Sequence, residues 1–159
     1  MADALNTGLT AKQRGDIASA LNKVLADSYA LYLKTHGYHW NVRGPNFQSL
    51  HVLLEGQYQE EWAALDDLAE RIRALGELAP MGYGAFGNLS SIKDGNPENH
   101  WEAMLKELRA DNETGIRTLR DSFPVADDAG DEATADLFTQ RLQAHEKHAW
   151  MLRSTLGKK

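Results

Sequence analysis

Among residues 51–70, one histidine and three of the carboxylates, His51, Glu55, Asp66 and Glu70, stand at spacings that place them on one side of a helix. At 100° per residue, with His51 at zero, Glu55 falls at about 40°, Asp66 at about 60° and Glu70 at about 100°, while Phe47, Leu54, Leu65 and Ile72 gather at about −40° to −60°. A charged stripe beside an apolar one is commonly just the solvated face. This stripe also holds Val52, Trp62 and Ala63, which suits contact with another subunit better than water. Carboxylates and an imidazole in such a contact need a compensating charge. A divalent cation supplies it, and imidazole with carboxylate oxygen and no sulfur suits Fe(II).

His51 with Glu55, and Asp66 with Glu70, are i, i+4 pairs, and the pairs stand about 22 Å apart along a helix. One ion cannot reach both pairs within one chain. Two antiparallel copies of the helix about a two-fold axis bring the first pair of one copy against the second pair of the other, giving two sites per dimer. His39, twelve residues before His51, is a further candidate ligand. His36, one turn earlier, is read as a neighbour of the site or a surface residue.

These residues require long helices to hold them. Thr10 and Gln13 form a predicted capping box, after which Ile17, Leu21, Val24, Leu25, Leu31 and Tyr32 recur at helical spacing, with Gly37 as a stop or kink. Pro45 opens a second helix with Phe47, Leu50, Leu54, Tyr58, Leu65, Leu68, Ile72 and Leu75 on its stripe. Residues 76–96, with five glycines and Pro80, predict a long crossover containing at most a short helix. A third helix carries Trp101, Leu105, Leu108, Ile116, Leu119 and Phe123 and should end at Pro124. A fourth runs through Leu137, Phe138, Leu142, Ala149, Leu152 and Leu156. The expected helices cover about 10–39, 45–77, 97–123 and 131–156. An all-α four-helix bundle with a long crossover between its second and third helices is the ferritin-like arrangement, and 159 residues suit one such domain.

Composition bounds the chemistry. With 42% hydrophobic and 25% charged residues the chain reads as a globular domain. The absence of cysteine excludes disulfides, thiolate zinc sites and thiol catalysis. The N-terminal residues lack a basic-then-apolar leader pattern and no apolar run is long enough to span a bilayer, so a cytoplasmic protein with no membrane partner is expected. The net charge of −6 disfavours nucleic acid. Lys12 and Arg14 near one end are offset by Asp3 and Asp16, and Arg153, Lys158 and Lys159 at the other make no cluster.

The string Tyr38-His39-Trp40-Asn41-Val42-Arg43-Gly44, followed by Asn46-Phe47, Leu50-His51 and Glu55, resembles the signature of the Dps family of mini-ferritins, and Asp66-Asp67-Leu68-Ala69-Glu70-Arg71-Ile72 resembles its D-x-x-A-E-R segment. The resemblance covers essentially the whole chain. It implies an intersubunit ferroxidase centre, with His39, His51 and Glu55 from one subunit and Asp66 and Glu70 from its mate. It further implies a hollow dodecamer, oxidation of Fe(II) to Fe(III) by hydrogen peroxide, storage of a ferric core and protection from oxidative damage. Trp40 resembles a residue that supplies or traps an oxidising equivalent, although interface packing explains it equally well. Acidic residues near Asp127–Asp136 line threefold pores in the family; Asp131 and Asp136 are the candidates here, and a helix N-terminal charge set is the simpler role. Family members that bind DNA use lysine-rich tails, so DNA binding here should be weak or absent, with nucleoid association open.

Three rival readings are weaker. A bundle-core di-iron enzyme needs Glu-x-x-His pairs, which the chain lacks. His145-Glu146-Lys147-His148 falls one residue short of a zinc-protease spacing, and both histidines are expected at the surface or an interface. A non-catalytic DNA-binding or structural assembly would leave the interface carboxylates without a purpose.

Overall fold

The computed structural model describes residues 5–157, which contain five helices and no strand. Asp3, Lys158 and Lys159, weighed above as tail charges, lie outside the described residues. Helix α1 spans Ala11–Asn41, α2 Phe47–Ala74, α3 Tyr83–Leu89, α4 Trp101–Asp127 and α5 Glu132–Thr155. The capping box forms as expected: Gln13 N–H donates to Thr10 Oγ1 at 3.2 Å and Thr10 N–H to Gln13 Oε1 at 2.9 Å. None of these helices is long and apolar enough to cross a membrane.

Helix α1 packs on α2 and α4 on α5, and the α1–α4 contact joins the two hairpins. The crossover returns over α1, with short α3 laid against it and Phe86 stacked on Tyr29 at 4.5 Å. Asp27 of α1 fastens it. Its buried carboxylate accepts from Ser91 N–H at 2.6 Å, Ser90 Oγ at 3.1 Å and Thr118 Oγ1 of α4 at 2.7 Å. Tyr38 holds the far end of the crossover, accepting from Asn96 N–H at 3.1 Å while its hydroxyl donates to Glu107. A Cβ at Gly95 would sit 2.6 Å from that hydroxyl oxygen, so any larger residue here must displace the Tyr38 ring.

Several boundaries differ from expectation, among them the start of α4, which opens at Trp101 rather than near residue 97. Helix α1 runs unbroken through Gly37 to Asn41. Helix α4 passes through Pro124 to Asp127. The carbonyl that Pro124 leaves without its helical donor belongs to exposed Arg120, on the solvent side of the helix. Helix α2 begins at Phe47 and stops short of Gly76, whose φ of 90° is the left-handed conformation that closes a helix with glycine. Phe47, assigned to the core stripe, is 44% exposed, whereas Leu54, Leu65 and Ile72 are buried.

The core is divided. One apolar cluster runs from Ile17, Leu21 and Val24 to Leu68, Leu119 and Phe138; a second gathers Leu31, Leu50, Leu54, Leu105, Leu108 and Leu152. A polar belt built from Glu61, Asn112, Arg141 and His145 lies among the mid-helix residues of α2, α4 and α5, and all four side chains are buried.

Candidate metal centre

His39 stands in the last turn of α1 and His51 in the second turn of α2, and the short Val42–Asn46 turn folds one onto the other. Their rings stack with centroids 3.7 Å apart and planes 17° from parallel. Nδ1 of His39 lies 2.9 Å from the His51 carbonyl oxygen, and Nδ1 of His51 lies 2.8 Å from the His39 carbonyl oxygen. A carbonyl only accepts, so each Nδ1 carries its hydrogen and donates it, leaving each Nε2 with a lone pair. The His39 carbonyl is one of those in a helix's last turn that lack an intrahelical donor, which makes it a natural acceptor. Two imidazoles with Nδ1 anchored and Nε2 open are oriented as metal ligands are.

Glu55 follows His51 by one turn and is half-buried, while Asp66 and Glu70 are exposed further along the same helix. The exposed apolar residues Val52, Trp62 and Trp40 flank this stripe, at 58%, 58% and 66% exposure. The chain therefore brings His39 and His51 together and leaves Asp66 and Glu70 apart from them. Trp40 rests on His36 with ring centroids 4.3 Å apart, and His36 in turn stacks on Tyr58 at 3.9 Å. His36 is half-buried, and burial together with the neighbouring His39 holds its imidazole below its ordinary value. Tyr58 was not singled out from the sequence, where it reads only as a core aromatic.

Asp131 is buried as the N-cap of α5, accepting from Thr134 N–H at 3.1 Å and pairing with Arg71 at 2.7 Å. Burial would raise its carboxyl, but the hydrogen bonds from Thr134 and Arg71 outweigh that and hold it below the usual range. Asp136 is exposed and accepts from Gln140 at 2.7 Å.

The polar belt was missed from the sequence. His145 and His148, expected at a surface or interface, are buried inside the bundle. Arg141 donates to both carboxylate oxygens of Glu60 and, at 3.0 Å, to Glu61 Oε1. Asn112 Nδ2 donates to the Leu108 carbonyl at 2.8 Å, so its Oδ1 faces His145 Nδ1 at 3.0 Å as an acceptor. Burial, helped by the Arg141 charge, pushes His145 down to about 3. It also lowers His148. The 3.4–3.9 Å approaches of these rings to Glu60 and Glu61 are thus contacts of neutral imidazoles, not ion pairs. Burial raises Glu61 to about 7 despite Arg141, whereas Arg141 more than offsets burial at half-exposed Glu60 and keeps it below its ordinary value. The wheel held the signal: Glu61 falls at about −80°, beside the apolar stripe of α2, and His145 follows core residue Phe138 by seven positions.

Among His, Asp and Glu of the described residues, only Glu60, Glu61 and His148 bring ligand atoms all within 4.8 Å of one another. His39, His51 and Glu55 do not meet that condition within one chain.

Comparison with known proteins agrees with this architecture. The ferritin-like domain family matches residues 18–159. An uncharacterised low temperature-induced protein of Nostoc is 41% identical over 152 residues, covering 94% of this chain and 85% of that protein. DNA protection during starvation protein 2 of Bacillus anthracis is 35% identical over 141 residues, covering 89% of this chain and 97% of its own. The crystal structure of a Dps protein from Vibrio cholerae, described as a member of a broad superfamily of ferritin-like diiron-carboxylate proteins, superposes with a TM-score of 0.91 at 31% identity, covering 98% of this chain and 99% of that one. The Dps protein of Bacillus brevis superposes with a TM-score of 0.87 at 35% identity over 91% and 97% of the two chains. With the helix order, the crossover and both sequence motifs in agreement, the chain belongs to the Dps family of ferritin-like proteins.

Proposed function

We propose that this protein is an iron-storage and detoxification subunit that oxidises Fe(II) with hydrogen peroxide at centres formed between two-fold-related chains. Membership of the Dps family carries iron storage and stress protection in general terms. The ferroxidase reaction, the peroxide and the dodecameric shell are the proposal. In it, His39, His51 and Glu55 of one subunit and Asp66 and Glu70 of its mate hold the iron as substrate, and Trp40 lies beside them. The observation that carries it is the reciprocal Nδ1-to-carbonyl anchoring of the stacked His39 and His51 rings, which leaves the Nε2 atom of each without a hydrogen to donate.

The donor set fits the chemistry. Carboxylates stabilise Fe(III) more than Fe(II) and favour oxidation, while neutral imidazoles keep the ligand charge modest so that product leaves. Two Fe(II) ions give two electrons to one hydrogen peroxide, which takes up two protons and becomes two waters without releasing hydroxyl radical. The ferric product is stored as mineral in the shell. Cation access through threefold pores falls to Asp136 in this reading, because Asp131 is committed to Arg71 and the start of α5. The whole chain acts as one Dps-type domain, in the cytoplasm, with weak or no DNA binding.

Stopped-flow oxidation of Fe(II) with limiting peroxide tests the proposal, comparing wild type with Asp66→Ala/Glu70→Ala after light scattering has shown equal assembly. Loss of fast oxidation in the assembled variant is expected. Equal rates would refute the intersubunit centre and favour a non-catalytic assembly.

A further inference from the structure

The polar belt contains a second arrangement that the interface centre does not use. Glu60 and Glu61 on α2 and His148 on α5 each present a ligand atom within 4.8 Å of the others, on the side of α2 turned away from the Asp66–Glu70 stripe. Glu61 is 1% exposed, and its Oε2 has no hydrogen-bond partner although it is buried. An orphaned carboxylate oxygen inside a bundle is costly and asks for an electropositive partner. Arg141 does not supply one, since its bonds go to Glu61 Oε1 and to Glu60. His148 Nε2 stands 3.8 Å from Glu60 Oε2 and its Nδ1 3.9 Å from Glu61 Oε1, both beyond hydrogen-bond reach, so the ring lies against both carboxylates without bonding to either.

We propose that Glu60, Glu61 and His148 form a binding site for a divalent transition-metal ion in the core of the bundle, separate from the intersubunit centre. Metal–oxygen and metal–nitrogen bonds of about 2.1 Å bring tetrahedrally arranged ligand atoms to roughly 3.4 Å from one another, so the side chains need to close by only a fraction of their present spacing. Two carboxylates and one imidazole are a ligand set for Fe(II), Mn(II) or Zn(II). The neighbouring Arg141 guanidinium offsets part of the carboxylate charge, which lowers affinity and suits an ion that exchanges with solution. Glu60, with its side chain 38% exposed, gives that ion a route from solvent. The site stands whether or not the interface centre oxidises iron.

Cobalt(II) is a suitable probe because its visible absorption reports a low-coordinate nitrogen–oxygen site. Chelator-stripped, assembled Asp66→Ala/Glu70→Ala protein, titrated without oxygen, should take up one absorbing equivalent per subunit. Adding Glu61→Gln with His148→Gln should abolish that equivalent, while signal from leftover interface ligands would survive. Crystals of the unsubstituted protein soaked in zinc(II) provide a reading independent of any variant's folding. An anomalous peak among Glu60, Glu61 and His148 is expected there. Cobalt uptake unchanged by Glu61→Gln/His148→Gln, or an anomalous map with no peak and an ordered water on Glu61 Oε2, would overturn the proposal.

Discussion

Replacing Glu61 by glutamine swaps a buried carboxyl for a neutral group of the same shape while keeping an oxygen for Arg141 to bond. In the folded chain burial holds this carboxyl at about 7, against an ordinary value of 4.5. The unfolded chain therefore loses its proton first, and between pH 4.5 and pH 7 the folded state binds more protons than the unfolded one. Stability from this group consequently falls as pH rises through that window and levels off above it. At about 1.4 kcal/mol per pH unit, the wild type carries a cost of about 3 kcal/mol at pH 8 that is absent near pH 4.5. Glu61→Gln should remove it, raising the melting temperature at pH 8 by roughly 6–12 °C for a chain of this size and leaving it nearly unchanged near pH 4.5. His145, held neutral down to about 3, works in the opposite sense and weakens the fold as pH drops below its ordinary value. It does so in both proteins, so the difference between them isolates Glu61. Calorimetry in chelator, at fixed protein concentration across this pH range, makes the measurement. An equal difference at both ends, or a glutamine variant less stable at pH 8, would mean that Glu61 is ionised and net stabilising beside Arg141.

Asp131→Ala should cost about 2–4 kcal/mol in denaturant unfolding, from a lost helix cap and a charge-assisted bond to Arg71. Because that carboxyl is held below its ordinary value, its contribution is present above the usual carboxylate range and disappears as pH falls, so the variant should show a shallower acid limb. Asp27→Ala strands the Ser91 N–H and the Thr118 hydroxyl and should cost about 2–5 kcal/mol. Its earliest sign should be faster amide exchange in the crossover. Gly95→Ala drives a methyl into the Tyr38 hydroxyl and should lower stability by about 1–3 kcal/mol in thermal unfolding.

The helices and their order were legible because the apolar residues of each recur at helical period and because a cap, Thr10–Gln13, and a closing glycine, Gly76, mark their limits. The errors came where the surroundings in the folded chain overrule a local rule. Pro124 reads as a stop, yet α4 continues through it, and the carbonyl it strands belongs to Arg120 on the exposed side of the helix. His145 and His148 read as surface residues since histidines beside Glu146 and Lys147 look solvated. They are buried because Asn112, Glu61 and Arg141, contributed by three different helices, meet them in the core.

What the sequence by itself determined is the set of ligands and a limit on their use: an imidazole and three carboxylates on one helical stripe, in two pairs too far apart to share an ion within one chain. That follows from helical rise and angle alone, which are local properties of the backbone. Only the tertiary structure decided that His39 and His51 lock each other's Nδ1 atoms, that Asp131 is spent on Arg71, and that a polar belt divides the core. Each of these joins residues that lie far apart along the helical chain. A helical wheel states the direction a residue faces but not what the neighbouring helix presents to it, and in this bundle that second fact sets which carboxylates remain free to bind a metal.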